Sequence, residues 1–282
     1  MTAGLFTVLF LGALAAGALG SALGMAGGIF VVPLLTLVAD VPFLTAVAVS
    51  LVSVIACSCA SAPPFLVSGL TNLRLAVVLE VCTAAGALLG ILMIGMVPNP
   101  VLYATFAAVL LISAAQLIAG RRTGEQVPAG PASSVSRSVA GTYRDHDGEA
   151  VGYQVARLPL GMTYMFGAGV LSALLGIGSG VLKIPAMDSA MRLPIKVSSA
   201  TANLMIGVTA CGAAIAYLVS GTLDLQLAAP VVLGSLAGSL VGARILVRVS
   251  GQSLRVVFTV VLIALAIPMA ATAFGLDWGV SS

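Results

Sequence analysis

Apolar runs of about 20 residues recur along most of the chain, each long enough to cross a hydrocarbon core of about 30 Å as a helix. They fall near 43–68, 73–95, 100–119, 197–219, 227–247 and 256–274. In lipid every backbone N–H and C=O must be bonded within the protein, so such runs can span only as helices. With 60% hydrophobic and 7% charged residues, the chain has too little polar surface to clothe a soluble globule. A soluble enzyme is excluded, and an all-α polytopic membrane protein is expected, seated in the cell (inner) membrane. Two longer apolar regions, 3–39 and 159–191, are broken by Gly24-Met-Ala-Gly-Gly28 and Gly176-Ile-Gly-Ser-Gly180. We read each as a helical hairpin bent at its glycines, either re-entrant or made of two short spans. The fold expected is therefore six full crossings plus two Gly-broken hairpins. The N-terminal run has the apolarity of a secretory signal, but no Lys or Arg precedes it and no cleavage site ends it, so it reads as retained.

The few charges divide the chain. Five of the 12 basic residues (Arg121, Arg122, Arg137, Arg144, Arg157) and four of the 9 acidic ones (Glu125, Asp145, Asp147, Glu149) lie between 121 and 157. The organisation expected is a first membrane repeat over 1–119, a cytoplasmic polar linker over 120–158 and a second repeat over 159–282. Within the linker, short alternating runs flank the Asp147-Gly148 pair, which is a β-hairpin signal. The lone His146 at that turn has no nucleophile to serve and reads as solvated. A net charge of +3 without a basic stripe gives a nucleic-acid partner no support. Cys57, Cys59, Cys82 and Cys211 sit inside apolar runs without metal-ligand spacing and read as small packing residues; neither a metal nor a cofactor is expected.

Sliding the chain on itself by 152 residues aligns the halves without a gap. Gly24, Gly28, Pro33 and Pro42 fall on Gly176, Gly180, Pro185 and Pro194, and Leu66-Val-Ser-Gly69 falls on Leu218-Val-Ser-Gly221. From Gly17 to Gly90, 21 of 74 positions are identical, far above what this composition gives by chance. Lys and Arg near helix ends set orientation. Arg192, Lys196, Arg248, Arg255 and the linker mark cytoplasmic loops in the second half, whereas Arg74 marks the opposite loop in the first. The halves should then face opposite ways, as inverted repeats do in many secondary transporters.

A glycine break frees backbone N–H groups inside the membrane, and a half-helix N-terminus suits an anion. The alternative is close helix packing, the reading given to Gly86-x-x-x-Gly90 and to Gly234, Gly238 and Gly242. We expect that glycine face to join the two halves, with a homodimer forming through another surface. An ammonium at the depth of Lys183 marks function by default, unless it snorkels or pairs with Asp188 or Glu80. Glu80, the one acid in a long crossing, is either a proton-coupling carboxylate or a buried partner. Ser50 and Ser53, and Ser198, Ser199, Thr201 and Asn203, follow the two hairpins as polar clusters. The candidate anion site comprises Gly27, Gly28, Ser50, Ser179, Gly180, Thr201 and Asn203, with Lys183 supplying field and Glu80 as coupling candidate.

The paired breaks each followed by proline, the Ala46-Val-Ala-Val-Ser50 and Ser199-Ala-Thr-Ala-Asn203 segments, the Ser-Gly turns and the Gly141-Thr-Tyr143 linker together resemble the TauE/SafE family of sulfite and organosulfonate permeases. The resemblance covers nearly the whole chain. It implies transport of small sulfur oxyanions such as sulfite, sulfoacetate or related C2 sulfonates, often as export, without a cofactor. Ala26 and Ser179 stand where richer glycine runs are usual. The function expected is a secondary carrier exporting a small sulfur anion by alternating access; the alternative is a proton- or cation-coupled uptake permease. No phosphate-binding loop suggests ATP use. An intramembrane enzyme built on Ser179 would need a histidine that the membrane segments lack.

Overall fold

The computed structural model describes residues 3–120, 140–144, 150–248 and 251–273. His146 and the turn of the linker hairpin lie outside them. Among the described residues there are ten α-helices, five before and five after a small hairpin. The first half runs α1 (Ala3–Leu23), α2 (Gly28–Pro33), α3 (Phe43–Val67), α4 (Leu73–Leu92) and α5 (Asn99–Gly120). After β1 (Gly141–Arg144) and β2 (Ala150–Tyr153) come α6 (Leu158–Leu175), α7 (Gly180–Pro185), α8 (Ile195–Val219), α9 (Leu225–Arg248) and α10 (Gly251–Ala273). The strands pair antiparallel, Gly141 with Tyr153 and Arg144 with Ala150.

The glycine-broken regions are hairpins of unequal legs. Their first legs, α1 and α6, are apolar enough and, at 20 and 18 described apolar residues, long enough to cross. The breaks therefore follow a full leg instead of dividing the region evenly. The six helices that qualify as spans by length and composition in the described residues are α1, α3, α4, α6, α8 and α9. The crossings expected near 100–119 and 256–274 appear there as the shorter apolar stretches Pro100–Ala115 and Thr259–Thr272. The second leg is short. α2 passes at Pro33 into a π-helical turn, Leu34–Val38, and α7 passes at Pro185 into another, Ala186–Ala190. A proline inside a helix removes one N–H and crowds the preceding turn, and a local widening to the π pattern relieves both. Each leg then ends through a left-handed residue, Asp40 or Arg192, before Pro42 or Pro194 starts the next crossing.

The halves interlock. α1 packs on α9 as α6 packs on α4; α3 packs on α9 as α8 packs on α4; α3 meets α8 and α5 meets α10. Under the 152-residue offset each contact maps onto its counterpart or onto itself, the pattern a two-fold relation between halves produces. Glycines let these helices approach at backbone distance: a Cβ at Gly234, Gly238 or Gly242 would overlap the Phe10, Leu14 or Ala18 carbonyl of α1. Gly86 and Gly90 meet Phe166 and Val170 of α6 in the same way. The Gly234 face thus joins the two halves, as expected. Leu, Val and Ile side chains cover the outer faces of the helices, as contact with lipid requires.

Candidate functional site

The two breaks meet in the interior. Each is built from three left-handed positions at matching places: Gly24, Ala26 and Gly27 in the first, Gly176, Gly178 and Ser179 in the second. Ala26 (φ 52°) and Ser179 (φ 31°) hold a conformation that normally belongs to glycine. Gly28 lies against the Gly176 carbonyl and Ile177, and Gly180 against Met25, with no room for a side chain at either. Two crossing helices pass through this junction. On α3, Val47 touches Gly176 while Val54 touches both Gly28 and Gly178; on α8, Ser199 touches Gly24 while Ile206 touches Gly178 and Gly180. Val54 and Ile206 lie near the middle of their 25-residue helices, which sets the junction deep in the protein.

Ser50 ties the breaks together. Its hydroxyl faces two carbonyls, Gly176 O at 2.8 Å and Gly28 O at 3.2 Å, one from each hairpin. Its proton is committed to bracing the tips. The hydroxyls of Ser179 and Ser199 are buried and have no hydrogen-bond partner among the described residues. Donors left open in this way are rare in proteins and mark where a ligand or water belongs. The Gly28 N–H starts α2 with no earlier turn to bond, whereas the Gly180 N–H at the start of α7 is taken by the Gly178 carbonyl within the second break. Met25, Ala26, Ile29, Ile177 and Val181 are all fully buried, so the junction is closed on every side.

The other predicted residues lie around this centre. Asn203 shares the α8 face of Ser199 and Ile206; its amide Nδ2 donates to Ser61 at 2.8 Å, its backbone carbonyl accepts from Ser58 at 2.6 Å, and its Oδ1 is buried without a partner. Thr201 points elsewhere. Its hydroxyl accepts the Asn72 N–H at 3.1 Å, at the start of α4, and Asn72 Nδ2 donates to Tyr153 of the linker hairpin at 3.0 Å. Burial raises the pKa of the Tyr153 phenol, partly offset by the Asn72 bond, so it stays protonated at neutral pH. Ala156 donates to Met191 at 3.1 Å, which docks the end of the linker on the second hairpin.

Lys183 neither snorkels nor stands alone. Fully buried, its Nζ donates to Glu80 Oε2 and to Thr209 Oγ1, both at 3.0 Å, and the Thr209 hydroxyl in turn donates to Glu80 Oε1. Of the alternatives open for Lys183, pairing with Glu80 is the one the fold adopts. Ser58, Ser61 and Thr209 complete these networks, and Ser199 stands beside the first break with its hydroxyl unpartnered among the described residues. Ser199 carried a signal, as a hydroxyl in an apolar helix, but Thr209 gained its meaning only from what faces it.

The architecture defines a class: a duplicated helical membrane protein whose broken helices meet in its interior, the construction of solute transporters. The profile of the sulfite exporter TauE/SafE family matches residues 9–269, and the chain belongs to that family of multi-pass membrane transporters. It is 24% identical over 265 residues to the "Probable membrane transporter protein YunE" of Bacillus subtilis (strain 168), covering 92% of this chain and 94% of that one. It is 27% identical over 222 residues to the "Probable membrane transporter protein YdhB" of the same organism, covering 79% and 82%. No solved structure matches the chain.

Proposed function

We propose that the protein is a secondary carrier that exports a small sulfur oxyanion, sulfite, sulfoacetate or a related C2 sulfonate, by alternating access around the two hairpin tips. The observation that carries this reading is the convergence of both breaks with the buried, unpartnered hydroxyls of Ser179 and Ser199 beside them. A sulfonate spreads its charge over three oxygens, so several fixed N–H and O–H donors suit it better than one tight ion pair. Gly27, Gly28, Ser179 and Gly180 contribute backbone at the tips, Ser199 joins them from α8, and Ser50 holds the tips in register. The closed junction is consistent with an occluded state, from which movement of one half opens a path to one side. Outward movement of one negative charge gains about 2.3 kcal/mol per 100 mV of membrane potential, inside negative, so export needs no ATP.

The same reading gives the protein no catalytic role. It places the linker inside, both termini outside and the halves inverted; cysteine-accessibility labelling tests this, and label reaching position 140 from outside overturns it. The decisive assay is counterflow in proteoliposomes with sulfoacetate, sulfite, taurine and sulfate side by side. Sulfoacetate or sulfite should exchange, and Ser179→Ala and Ser199→Ala should each weaken binding about fivefold to tenfold, the worth of about 1 kcal/mol per hydrogen bond. Failure of all four solutes to exchange sinks the reading.

A further inference from the structure

We propose that Lys183, Glu80 and Thr209 form a proton-coupling site, at which Glu80 takes up one proton for each anion bound and gives it back on release. This inference rests on the carrier reading above and adds to it a coupled ion.

The trio joins three elements: Lys183 on α7, Glu80 on α4 and Thr209 on α8. It lies one helical turn from the second break. Lys183 is three residues past Gly180, and Thr209 three past Ile206, whose side chain touches Gly178 and Gly180. Lys183 and Thr209 are buried, whereas the Glu80 side chain keeps 13% exposure, so Glu80 is the least enclosed member of the trio.

The fold does not require these charges. Under the repeat Lys183, Glu80 and Thr209 correspond to Val31, Val232 and Cys57, each in the opposite half from its counterpart. There Val31 packs in an apolar cluster with Leu35 and Val231, and the Cys57 thiol faces the Ser235 carbonyl at 3.3 Å. One set of positions closes the corresponding helices with apolar groups and the other with an ion pair. A buried pair is weak as a stabiliser and expensive to desolvate. In a membrane segment it marks a functional path.

The chemistry follows from placing two negative groups beside one cation. An anion entering at the second break draws on the Lys183 ammonium that now neutralises Glu80. In a low-dielectric interior two anions close together cannot both stay ionised, so the carboxylate binds a proton from water and becomes neutral, while Lys183 keeps its charge. When the anion leaves, Lys183 and the Thr209 hydroxyl again favour ionised Glu80, and the proton departs. Linkage makes the effect mutual: protonated Glu80 raises affinity for the anion by the factor that the anion raises affinity for the proton.

Other titratable groups stand on the packed elements: Tyr164 on α6, Tyr103 on α5, Asp188 in the π turn after α7, Arg74 at the start of α4, and Lys196, Cys211 and Tyr217 on α8. Asp188, Arg74 and Lys196 have interactions of their own, and the Tyr217 hydroxyl donates to Ala173. Within the trio, Thr209 bridges ammonium and carboxylate. A dianion such as sulfoacetate leaving with one proton still carries one negative charge outward, which keeps coupling compatible with export.

The test uses sulfoacetate, whose two acid groups stay ionised near neutral pH, in proteoliposomes of the full chain with a pH dye inside. The wild type should move one proton in the same direction as each anion, and anion exchange should speed up as pH falls. Glu80→Gln mimics the protonated form, so it should exchange anion with no pH dependence and move no protons. If Glu80→Gln does not fold, Thr209→Val decides the matter: it leaves both charges and removes a hydroxyl that favours the ionised carboxylate, so the pH profile should shift to the alkaline side. Net wild-type efflux of sulfoacetate down its gradient without proton movement overturns the coupling and leaves the carrier reading standing; absence of both counterflow and net efflux overturns both. Proton flux at the wild-type ratio in Glu80→Gln, a folded Glu80→Gln that carries no anion, or an unmoved profile in Thr209→Val also overturns it.

Discussion

The short legs of the two hairpins occupy corresponding places yet are held by different physics. In the first, Val31 and Leu35 of the α2 leg are fully buried among apolar neighbours, and the nearby polar contacts are neutral: Ser53 to Ser235 at 2.7 Å and Cys57 to the Ser235 carbonyl at 3.3 Å. In the second, Lys183 of α7 is clasped by Glu80 and Thr209. Apolar contact is non-directional and tolerates sliding, whereas an ion pair in a dry interior has one good geometry and a high cost of separation. The two copies thus share the scaffold, while only the second short leg is held by an ion pair. A mechanism that needs the two hairpins to act unequally has its physical basis there.

The comparison can be broken most sharply at Lys183. Lys183→Met alone strands Glu80 and should cost about 3–5 kcal/mol, the usual result of removing one partner of a buried pair. Val31→Ile at the corresponding place should cost about 1–3 kcal/mol, the overpacking of one added methylene. Thermal melting in detergent measures both, and equal losses would show that the legs are held alike. The double variant Lys183→Val with Glu80→Val, which copies the corresponding Val31 and Val232, should recover most of the loss; strictly additive effects would mean that the pair is not coupled.

Away from the short legs the halves should respond alike. Gly238→Leu drives a side chain into the Leu14 carbonyl, and Gly86→Leu drives one into the Phe166 carbonyl. Each should cost about 1–3 kcal/mol or more through overpacking. Size-exclusion profiles should deteriorate for both, and a folded, active Gly238→Leu protein would refute the contact between α9 and α1. A smaller effect belongs to the first half's neutral network, where Ser53→Ala should cost about 1 kcal/mol. Smallest and opposite in sign, Ala26→Gly relieves a left-handed alanine, partly offset by glycine's greater freedom in the unfolded chain, and should stabilise by about 0.5 kcal/mol. Ser179→Gly should gain similarly while losing the hydroxyl assigned to the anion, so stability and binding should part company only at the second tip.

Much of this was legible before any coordinates. Run length and hydropathy mark the crossings because backbone satisfaction in lipid leaves helices as the option, and the duplication is visible because glycines and prolines at breaks have few substitutes. The Asp147-Gly148 hairpin and the Gly234 face were readable for similar reasons. The positions of the breaks within their hairpins were less so. A run of apolar residues does not say how much of it one leg consumes, and the sequence shows no reason for the π turns beyond Pro33 and Pro185. The candidate site divides in the same way. The glycine breaks announced themselves, but Ser50 reads as a free donor until two carbonyls are seen to claim its proton, and Thr201 reads as a neighbour of Asn203 until the helix turns it toward Asn72.

By itself the sequence determined that this is a duplicated helical membrane protein with two broken hairpins, and that one lysine and one glutamate lie inside its apolar segments. Those are properties of local periodicity, backbone conformation and solvation, each decided within a few turns of chain. Only the tertiary structure decided that the two breaks meet, that Ser179 and Ser199 are left with open hydroxyls, and that Lys183 faces Glu80. The last pairing joins residues 103 positions apart, from opposite halves. Contacts of that kind depend on how helices pack across the whole molecule, and nothing in the neighbourhood of either residue encodes them.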